Sequence, residues 1–305
     1  MERLLYAAPS AWIMHAPFAM FLVDVARPRV FVELGSHYGV SYCAFCQAVR
    51  ELGAAAECYA VDTWRGDAQA GFFGQEVFDE LRRHHDPLYG GFSSLLRMTF
   101  EDAAARFERG SVDLLHVDGF HTYEAVRRDY ETWLPLMSER GVILFHDIAV
   151  REGDFGVWRL WEELKSRRPH YEVEFGHGLG VVAVGDEYPA ALDRLFRATA
   201  EELERIRGCF RRLGSLSLAA QEFDAFRRHV AAREAAEDER RKAEAERLKR
   251  RRREHPLLIR ASNLLQVWAD RGLGGAVSLG VSKAAPRAAS KSDQSLEDAA
   301  RAQGS

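Results

Sequence analysis

Short apolar runs alternate with amphipathic helical patterns between about residues 28 and 185, and this alternation constrains the fold more than any other feature. Four of the runs, RVFVEL, ECYAVD, SVDLLHVD and GVILFHD, are rich in apolar or β-branched residues, and FSSLLRM is a weaker candidate. Strand-like runs separated by helical patterns are typical of βαβ units and a largely parallel sheet. We therefore predict an α/β fold.

The segment YEVEFGHGLGVVAVG closes this block, and its two β-type runs flank Gly176, Gly178 and Gly180. This pattern predicts a hairpin, which adds an antiparallel pair to the parallel sheet. The helical patterns VSYCAFCQAVREL, YEAVRRDYETWLPL and FGVWRLWEELKS predict helices that pack against the sheet. We expect a further helix at about residues 11–25, which covers one sheet edge or shields a ligand site.

The composition changes after Gly185, because the stretches 191–207 and 216–254 are rich in Ala, Glu, Arg and Lys and contain no glycine. Apolar residues other than alanine are nearly absent from residues 232–254, which favours a solvated charged helix over a strong coiled coil. The long helical region is still a candidate for self-association into a homo-oligomer. We predict five segments: an N-terminal helical cover (1–27), the α/β domain (28–185), a long charged helical region (186–255), a short amphipathic helix (256–273) and a disordered tail (274–305).

The formal net charge of −4 shows no basic excess of the kind that indicates a nucleic-acid partner. The four cysteines lie in apolar or helical contexts, and no secretory signal opens the sequence, which favours the reducing cytoplasm. Cys43 and Cys46 form a C-x-x-C without a second pair to complete a zinc site, so we interpret them as small buried residues. No apolar stretch approaches the roughly 20 residues of a transmembrane helix.

The first run leads directly into VFVELGSHYGVS, where Glu33 stands at the predicted strand tip and Gly35 and Gly39 bracket the turn into a helix. Glycine lets the backbone bend sharply and lets a ligand approach closely, and the helix that follows presents unpaired N–H groups. In open α/β sheets, ligands bind at this edge. We therefore predict a ligand site at this turn.

Asp62 closes the second run in CYAVDTWRGD, where its carboxylate can accept hydrogen bonds from both ribose hydroxyls of a nucleoside. The glycine spacing is G-x-x-x-G rather than the G-x-G-x-x-G that cradles a pyrophosphate. A nucleoside without a pyrophosphate fits better, and S-adenosylmethionine (SAM) is the commonest such cofactor. Thr63 and Trp64 follow at the same strand tip, where we predict that the indole lines the nucleoside pocket.

The fourth and fifth runs end in LLHVDGFHTYE and VILFHD, which places Asp118, His121, His146 and Asp147 at the same sheet edge as Glu33. Carboxylates and imidazoles that converge on one point can hold a divalent cation such as Mg²⁺ or Mn²⁺. Such a metal would lower the pKa of a bound substrate hydroxyl and orient it toward a sulfonium methyl. Alternatively, His121 or His146 acts as a metal-free general base.

A structural alternative is that Asp118 and Asp147 only cap the helices that follow them, which aspartate often does. For either residue alone, capping and chemistry are about equally expected. For the whole group, the clustering of ionisable side chains at one edge favours chemistry. The predicted catalytic residues are Asp118, His121 and His146.

Together, the segments VFVELGSHYGVS, VDTWRGD, DLLHVDGFHTYEAVRRDYETWLPL, GVILFHD and FGVWRLWEEL resemble the class I SAM-dependent methyltransferases. More narrowly, they look like the subgroup found beside or fused to glycosyltransferases, which is distantly similar to macrocin-type sugar O-methyltransferases. The resemblance covers about residues 28–185. It implies a Rossmann-like sheet of seven strands, mostly parallel, whose last hairpin is antiparallel.

The resemblance also implies which residues bind the cofactor and a metal. It implies a divalent metal ion on Asp118, His146 and Asp147, although His146 stands where the relatives carry a carboxylate, which leaves metal dependence open. The SAM contacts that it implies are Glu33, Gly35, Ser36, Gly39 and Asp62.

Three functions are compatible with these features. The resemblance implies an O-methyltransferase of polysaccharide biosynthesis that modifies a small-molecule or glycan hydroxyl, with a glycosyltransferase as its partner. A second hypothesis is a non-catalytic module that binds SAM or tethers other molecules and is assembled through the helical tail. A nicotinamide-dependent oxidoreductase is disfavoured, because the third glycine of the dinucleotide motif is missing.

Overall fold

The computed structural model describes residues 4–6, 8, 10–67 and 71–254. Its centre is a sheet of seven strands in the order β5-β2-β1-β6-β7-β9-β8. The first five strands of this order run parallel, and β9 pairs antiparallel with both β7 and β8. The predicted Rossmann-like fold with a final antiparallel hairpin is confirmed.

The elements follow the chain in alternating order. The strands of the main sheet are β1 (Val30–Leu34), β2 (Glu57–Asp62), β5 (Ser93–Arg97), β6 (Val112–Val117), β7 (Met137–His146), β8 (His170–Val173) and β9 (Leu179–Ala183). A small separate hairpin consists of β3 (Gly66–Asp67) and β4 (Gly71–Phe72). The helices are α1 (Ala16–Ala26), α2 (Val40–Glu51), α3 (Gln75–Tyr89), α4 (Phe100–Ala104), α5 (Tyr123–Trp133), α6 (Val157–Lys165), α7 (Ala190–Phe196) and α8 (Ala200–Glu254).

Both faces of the sheet are buried, because successive side chains of a strand point to opposite faces. In β1, Phe31 packs with Trp12 and Phe45 on one side, whereas Val32 joins the core that contains Trp133 on the other. Fully burying a Phe or Val side chain contributes roughly 1.5–3 kcal/mol. The helices that pack on both faces of the sheet therefore fix the positions of the strand ends.

One part of the fold was not predicted from the sequence. Helix α3 and the β3–β4 hairpin lie in a region for which no element was predicted, and Phe72 is 83% exposed on that hairpin. Helix α8 runs without a break from Ala200 to Glu254 through Gly208 and Gly214, and it forms most of the predicted long charged helical region.

The chain divides into two compact units, residues 1–231 and 232–305. In the first unit, Phe210 of α8 packs against Phe18 and Phe21 of α1. In the second unit, the helical residues 232–254 whose side chains are described are exposed. Within the described part of the chain, no helix has an apolar stretch long enough to cross a membrane. The predicted amphipathic helix and disordered tail (256–305) lie outside the described residues.

Candidate functional site

A cavity of about 490 Å³ opens at the carboxyl ends of the central strands. The turn after β1, the tips of β2, β6 and β7, and the connection between β8 and β9 all contribute to its wall. Ser10 and Ala11, at the start of a short 3₁₀ helix (Ala11–His15) that precedes α1, line it as well. Most of the predicted site residues therefore meet in one cavity, as expected for the carboxyl edge of a parallel sheet.

The turn after β1 depends on glycine because the backbone of β6 passes directly against it. Gly35 has a φ of +86°, and a Cβ atom there would lie 2.1 Å from the carbonyl oxygen of Asp118. Gly39, with a φ of +79°, is the N-cap residue immediately before α2. Only a residue without a side chain fits at Gly35, so the turn presents bare backbone to the cavity.

Asp62 at the tip of β2 holds this turn in place. One carboxylate oxygen accepts the backbone N–H groups of Ser36 (3.0 Å) and His37 (2.9 Å). The other oxygen accepts the N–H group of Trp64 (2.7 Å). Asp62 and Thr63 both line the cavity, so Asp62 shapes the turn and also faces the space that the sequence assigns to a nucleoside.

Trp64 and Glu33 were predicted as cofactor contacts, but the structure places both outside the cavity lining. Trp64 is fully buried behind the turn, where its Nε1 donates to the carbonyl of His37 (2.9 Å). Glu33 is also fully buried, and its Oε2 accepts from Nδ1 of His116 (2.8 Å), its direct neighbour on β6. Both residues therefore support the site from beneath.

Ser36, unlike Trp64 and Glu33, lies in the wall of the cavity. Its side chain is only 3% exposed and lines the cavity, yet its Oγ has no hydrogen-bond partner among the described residues. A buried hydroxyl without a partner is energetically unfavourable, at about 1–3 kcal/mol. A ligand in the cavity would supply that partner.

On the opposite side of the cavity, Asp118 and His121 follow β6, and Asp147 follows β7. Nε2 of His121 lies 2.9 Å from Oδ2 of Asp147 and 3.6 Å from Oδ1 of Asp118. Neither aspartate caps a helix, because Thr122 caps α5 and Gly156 precedes α6. The capping alternative is therefore wrong, and the two carboxylates are turned toward one another and toward the cavity.

The ionisable side chains of this cluster shift one another's pKa values. Burial opposes the ionisation of Asp118, but the charge of His146 together with hydrogen bonds from His121 and His146 outweighs it and keeps the pKa of that carboxyl well below its usual range. For Asp147, hydrogen bonds from His121 and His146 likewise outweigh burial and lower its pKa. Burial disfavours the charged form of His121, yet hydrogen bonds to Asp118 and Asp147 raise its pKa to about 9. Two carboxylates thus share one pocket with cationic or metal-binding imidazoles.

His146 is anchored on a backbone carbonyl. Its Nε2 lies 3.0 Å from the carbonyl oxygen of Gly176, and its Nδ1 lies 3.2 Å from Oδ1 of Asp118. His15 of the N-terminal segment donates to the same carbonyl (2.9 Å), and burial lowers its pKa to about 3. Because a carbonyl oxygen only accepts, Nε2 of His146 carries a proton.

The family resemblance implies a metal ion, and three side chains of the cavity could supply its ligand atoms. One ligand atom from each of Asp118, His121 and Asp147 lies within 4.8 Å of the other two. Oxygen and nitrogen donors at such separations fit a divalent cation. His121 joins the two aspartates in this group, and Nδ1 of His146, which the resemblance implies as a ligand, lies 3.2 Å from Asp118 and 3.5 Å from Asp147.

Sequence reasoning missed several residues of the cavity wall. His177 lines the cavity, and its Nδ1 lies 3.2 Å from Oδ1 of Asp147. Phe73 and His37 stack in another part of the wall, with ring centroids 4.7 Å apart. The glycine-flanked His177 was visible only as part of a hairpin turn, and no sequence signal indicated that the turn folds back onto β7.

Residues 32–148 match a protein family described as a methyltransferase domain. The match begins in β1 and includes Asp147, so it spans both sides of the cavity. The uncharacterized protein y4gI of Sinorhizobium fredii is 50% identical over 197 residues, which form 65% of this chain and 22% of that protein. The chain therefore spans about a fifth of the length of the curated relative that it matches.

Solved structures with a similar chain path include two methyltransferases. One is from Geobacter sulfurreducens, with 16% identity, coverage of 55% of this chain and 77% of that chain, and a TM-score of 0.41. The other is the O-methyltransferase TomG from Streptomyces achromogenes in complex with SAM, with 15% identity, coverage of 60% and 92%, and a TM-score of 0.42. Because these identities and TM-scores are low, the fold assignment rests on the strand order of the sheet instead.

Proposed function

We propose that the methyltransferase domain of this chain transfers the methyl group of SAM to a hydroxyl oxygen of a sugar or glycoconjugate. The observation that carries the proposal is that one cavity joins the glycine turn, with its unpaired Ser36 hydroxyl, to the cluster of Asp118, His121 and Asp147. The first side suits a nucleoside cofactor, and the second suits a hydroxyl that must lose a proton. The match of residues 32–148 to a methyltransferase domain supports the same reaction.

In the proposed reaction, the acceptor oxygen forms a bond to the methyl carbon while the carbon–sulfur bond breaks and its electron pair stays on sulfur. The products are the methyl ether and S-adenosylhomocysteine, a neutral thioether. The hydroxyl proton passes to the cluster of Asp118, His121 and Asp147. A divalent metal bound there would add Lewis acidity that lowers the pKa of the hydroxyl. The residues themselves orient the oxygen and keep negative charge beside the departing proton.

The charge of the cavity wall supports a neutral acceptor. Among the described lining residues there is no Lys or Arg, whereas four are Asp or Glu: Asp62, Glu101, Asp118 and Asp147. Phosphate groups are usually bound by Arg, Lys or a helix N-terminus. A neutral glycan hydroxyl therefore fits this wall better than a phosphorylated acceptor.

The proposal also includes the cellular compartment, the pathway and the partners of the reaction. The four cysteines are free thiols, which agrees with a reducing cytoplasm. A role in polysaccharide biosynthesis and a glycosyltransferase partner rest on the family resemblance, and a homo-oligomer formed through α8 rests on the length of that helix. The proposed catalytic domain (28–185) ends shortly after β9.

Calorimetric titration of the full chain with SAM and with NAD⁺ tests the cofactor, and transfer of a radiolabelled methyl group to neutral oligosaccharides tests the acceptor. We expect SAM binding without NAD⁺ binding, and weaker SAM binding in Ser36→Ala. Asp147→Asn should retain SAM binding but reduce methyl transfer by about 100-fold or more, whereas the exposed control Asp186→Asn should change neither. Absence of SAM binding by the wild-type chain would refute the proposal.

A non-catalytic SAM-binding or tethering module is the second candidate, because α8 is 55 residues long and exposes Leu216, Phe223 and Phe226. A module of this kind needs no proton acceptor. SAM binding without transfer to any acceptor, together with self-association lost in Phe223→Ser, would favour this function.

A further inference from the structure

The charged residues of α8 are distributed unevenly along its last part. Residues 232–246 contain four basic and six acidic residues, whereas residues 247–253 contain six basic residues and no acidic one. Five of the six basic side chains are exposed: Arg247, Lys249, Arg250, Arg251 and Arg253. The described end of α8 is therefore a concentrated positive surface, which we call the basic run (247–253).

Interactions within the helix do not account for the whole basic run. Cations stabilise a helix through its dipole only when they lie in the last turn, whereas this run covers about two turns. Ion pairs join Lys249 to Glu246 (2.7 Å) and Arg250 to Glu254 (2.7 Å). These two acidic residues flank six basic ones, so a net positive charge is left for a partner that is not part of this helix.

The sequence that follows the basic run predicts a second helix. Pro256 stands two residues after Glu254. A proline disfavours helical backbone at the residue before it and is itself favoured at the first position of a helix. The sequence therefore predicts that a new helix begins at Pro256 and continues to about Arg271. This segment lies outside the described residues, and its helix is a prediction from the sequence alone.

This predicted helix is amphipathic. Residues at helical spacing form one apolar face: Leu257, Ala261, Leu264, Leu265 and Trp268. The opposite side carries, besides Ile259, the polar residues Ser262, Asn263, Gln266 and Asp270. The segment 256–271 is only 16 residues long and contains three charged residues, so it is too short and too polar to span a bilayer. An apolar face next to clustered arginines is typical of a helix that lies in the plane of a membrane interface.

We propose that the basic run and the segment 256–271 together form an attachment site for an anionic phospholipid surface. The apolar face enters the boundary between headgroups and acyl chains, where tryptophan is favoured. The basic run contacts the lipid phosphates. Stable attachment usually requires two such signals, and this chain places them next to each other.

The apolar face favours a lipid surface over nucleic acid, the other common polyanion. Phosphate contacts to nucleic acid use basic side chains and do not require an apolar face beside them. The formal net charge of the chain is −4, so its positive charge is local rather than general. The proposal goes beyond the proposed methyl transfer and does not depend on it.

The test is flotation of the full chain with two kinds of vesicle, phosphatidylcholine alone and phosphatidylcholine with about 30% phosphatidylglycerol. The first variant combines Arg247→Gln, Arg251→Gln and Arg253→Gln. Its matched control, Arg227→Gln with Arg228→Gln and Arg233→Gln, removes three exposed charges from an earlier part of α8. Melting temperature, measured on each sample, reports whether the variants fold.

A second pair of variants tests the apolar face. Leu264→Gln with Trp268→Gln removes two of its large side chains, and the control Asn263→Gln with Gln266→Asn changes two residues of the polar side.

We expect the wild-type chain to bind anionic vesicles at least about 10-fold more tightly than neutral ones, and less tightly as salt is added. Each Lys or Arg near an anionic surface contributes about 5-fold in affinity, so the first variant should bind about 100-fold less tightly. The apolar variant should lose about 10-fold or more. Both controls should stay within about 3-fold of the wild type.

Absence of binding to anionic vesicles by the folded wild-type chain would overturn the proposal. Equal losses in the two arginine variants would show that the basic run has no special role and would also overturn it. Unchanged vesicle binding in the apolar variant would mean adsorption by charge alone. Tighter binding to an oligonucleotide duplex than to anionic vesicles would assign the basic run to nucleic acid instead.

Discussion

Replacing Asp62 should loosen the turn after β1 as well as weaken cofactor binding. The carboxylate accepts three backbone N–H groups, two from the turn at Ser36 and His37 and one from the buried Trp64. A hydrogen bond to a charged group contributes about 1.5–3 kcal/mol, and a donor left without a partner costs about 1–3 kcal/mol. Since the cavity admits water to part of the turn, we expect Asp62→Ala to lower the free energy of unfolding by about 3–6 kcal/mol.

The Asp62→Asn substitution removes the negative charge of the side chain but keeps its shape. The amide oxygen can still accept from Ser36 and His37, but the amide nitrogen then faces the N–H group of Trp64, so one donor loses its partner. We expect this variant to lower the free energy of unfolding by about 1–3 kcal/mol. The exposed control Asp186→Asn should stay within about 0.5 kcal/mol of the wild type.

Urea denaturation measures these differences, and a SAM titration on the same samples measures cofactor affinity. If Asp62 positions the turn, stability and SAM affinity fall together, in the order wild type, Asp62→Asn, Asp62→Ala. Loss of SAM binding with unchanged stability in both variants would refute this reasoning. Asp62 would then act only as a ligand contact.

Three further perturbations follow from buried contacts. Gly35→Ala places a methyl group 2.1 Å from the Asp118 carbonyl, and circular-dichroism melting should show a loss of several degrees together with lost SAM affinity; a wild-type melting temperature would contradict the close approach. Burial raises the pKa of Asp129 to about 7, so wild-type stability falls as the pH rises from about 4 through 7, and Asp129→Asn should gain on the order of 4 kcal/mol above that range; parallel stability curves would exclude this shift. Against the effect of burial, hydrogen bonds from Arg29 hold the pKa of Asp113 at about 2, so their stabilisation is present above about pH 4 and is lost as the pH falls through 2. Asp113→Asn should therefore cost about 3 kcal/mol at neutral pH and much less at about pH 2 in urea melts.

The sequence predicted the sheet because buried parallel strands are continuous apolar runs, and it placed Asp118 and Asp147 together because parallel strands end at one edge. Helix α3 was missed although its buried residues recur at every fourth position. Two of those four, His85 and Tyr89, are not aliphatic, and Val77 and Leu81 alone did not define an apolar stripe.

The roles within the site were less accessible to sequence reasoning. Both His121 and His146 lie beside the two aspartates. The direction of each ring depends on tertiary contacts, and the carbonyl that turns His146 belongs to a hairpin connection 30 residues later. Glu33 stands at a strand tip as predicted, but its partner His116 comes from the neighbouring strand. Such cross-strand partners are tertiary contacts that periodicity does not encode.

The oxygen of Gly176 joins three distant parts of the chain, because His15, His146 and the final hairpin all meet there. The contact with His15 spans 161 positions of sequence, and contacts of such separation form late, after the intervening loop has closed. The hydrogen bond that shapes the turn after β1, by contrast, joins Ser36 and Asp62 over a span of 26 residues. During refolding, the contact between the turn and Asp62 should therefore form before His15 and His146 meet at Gly176.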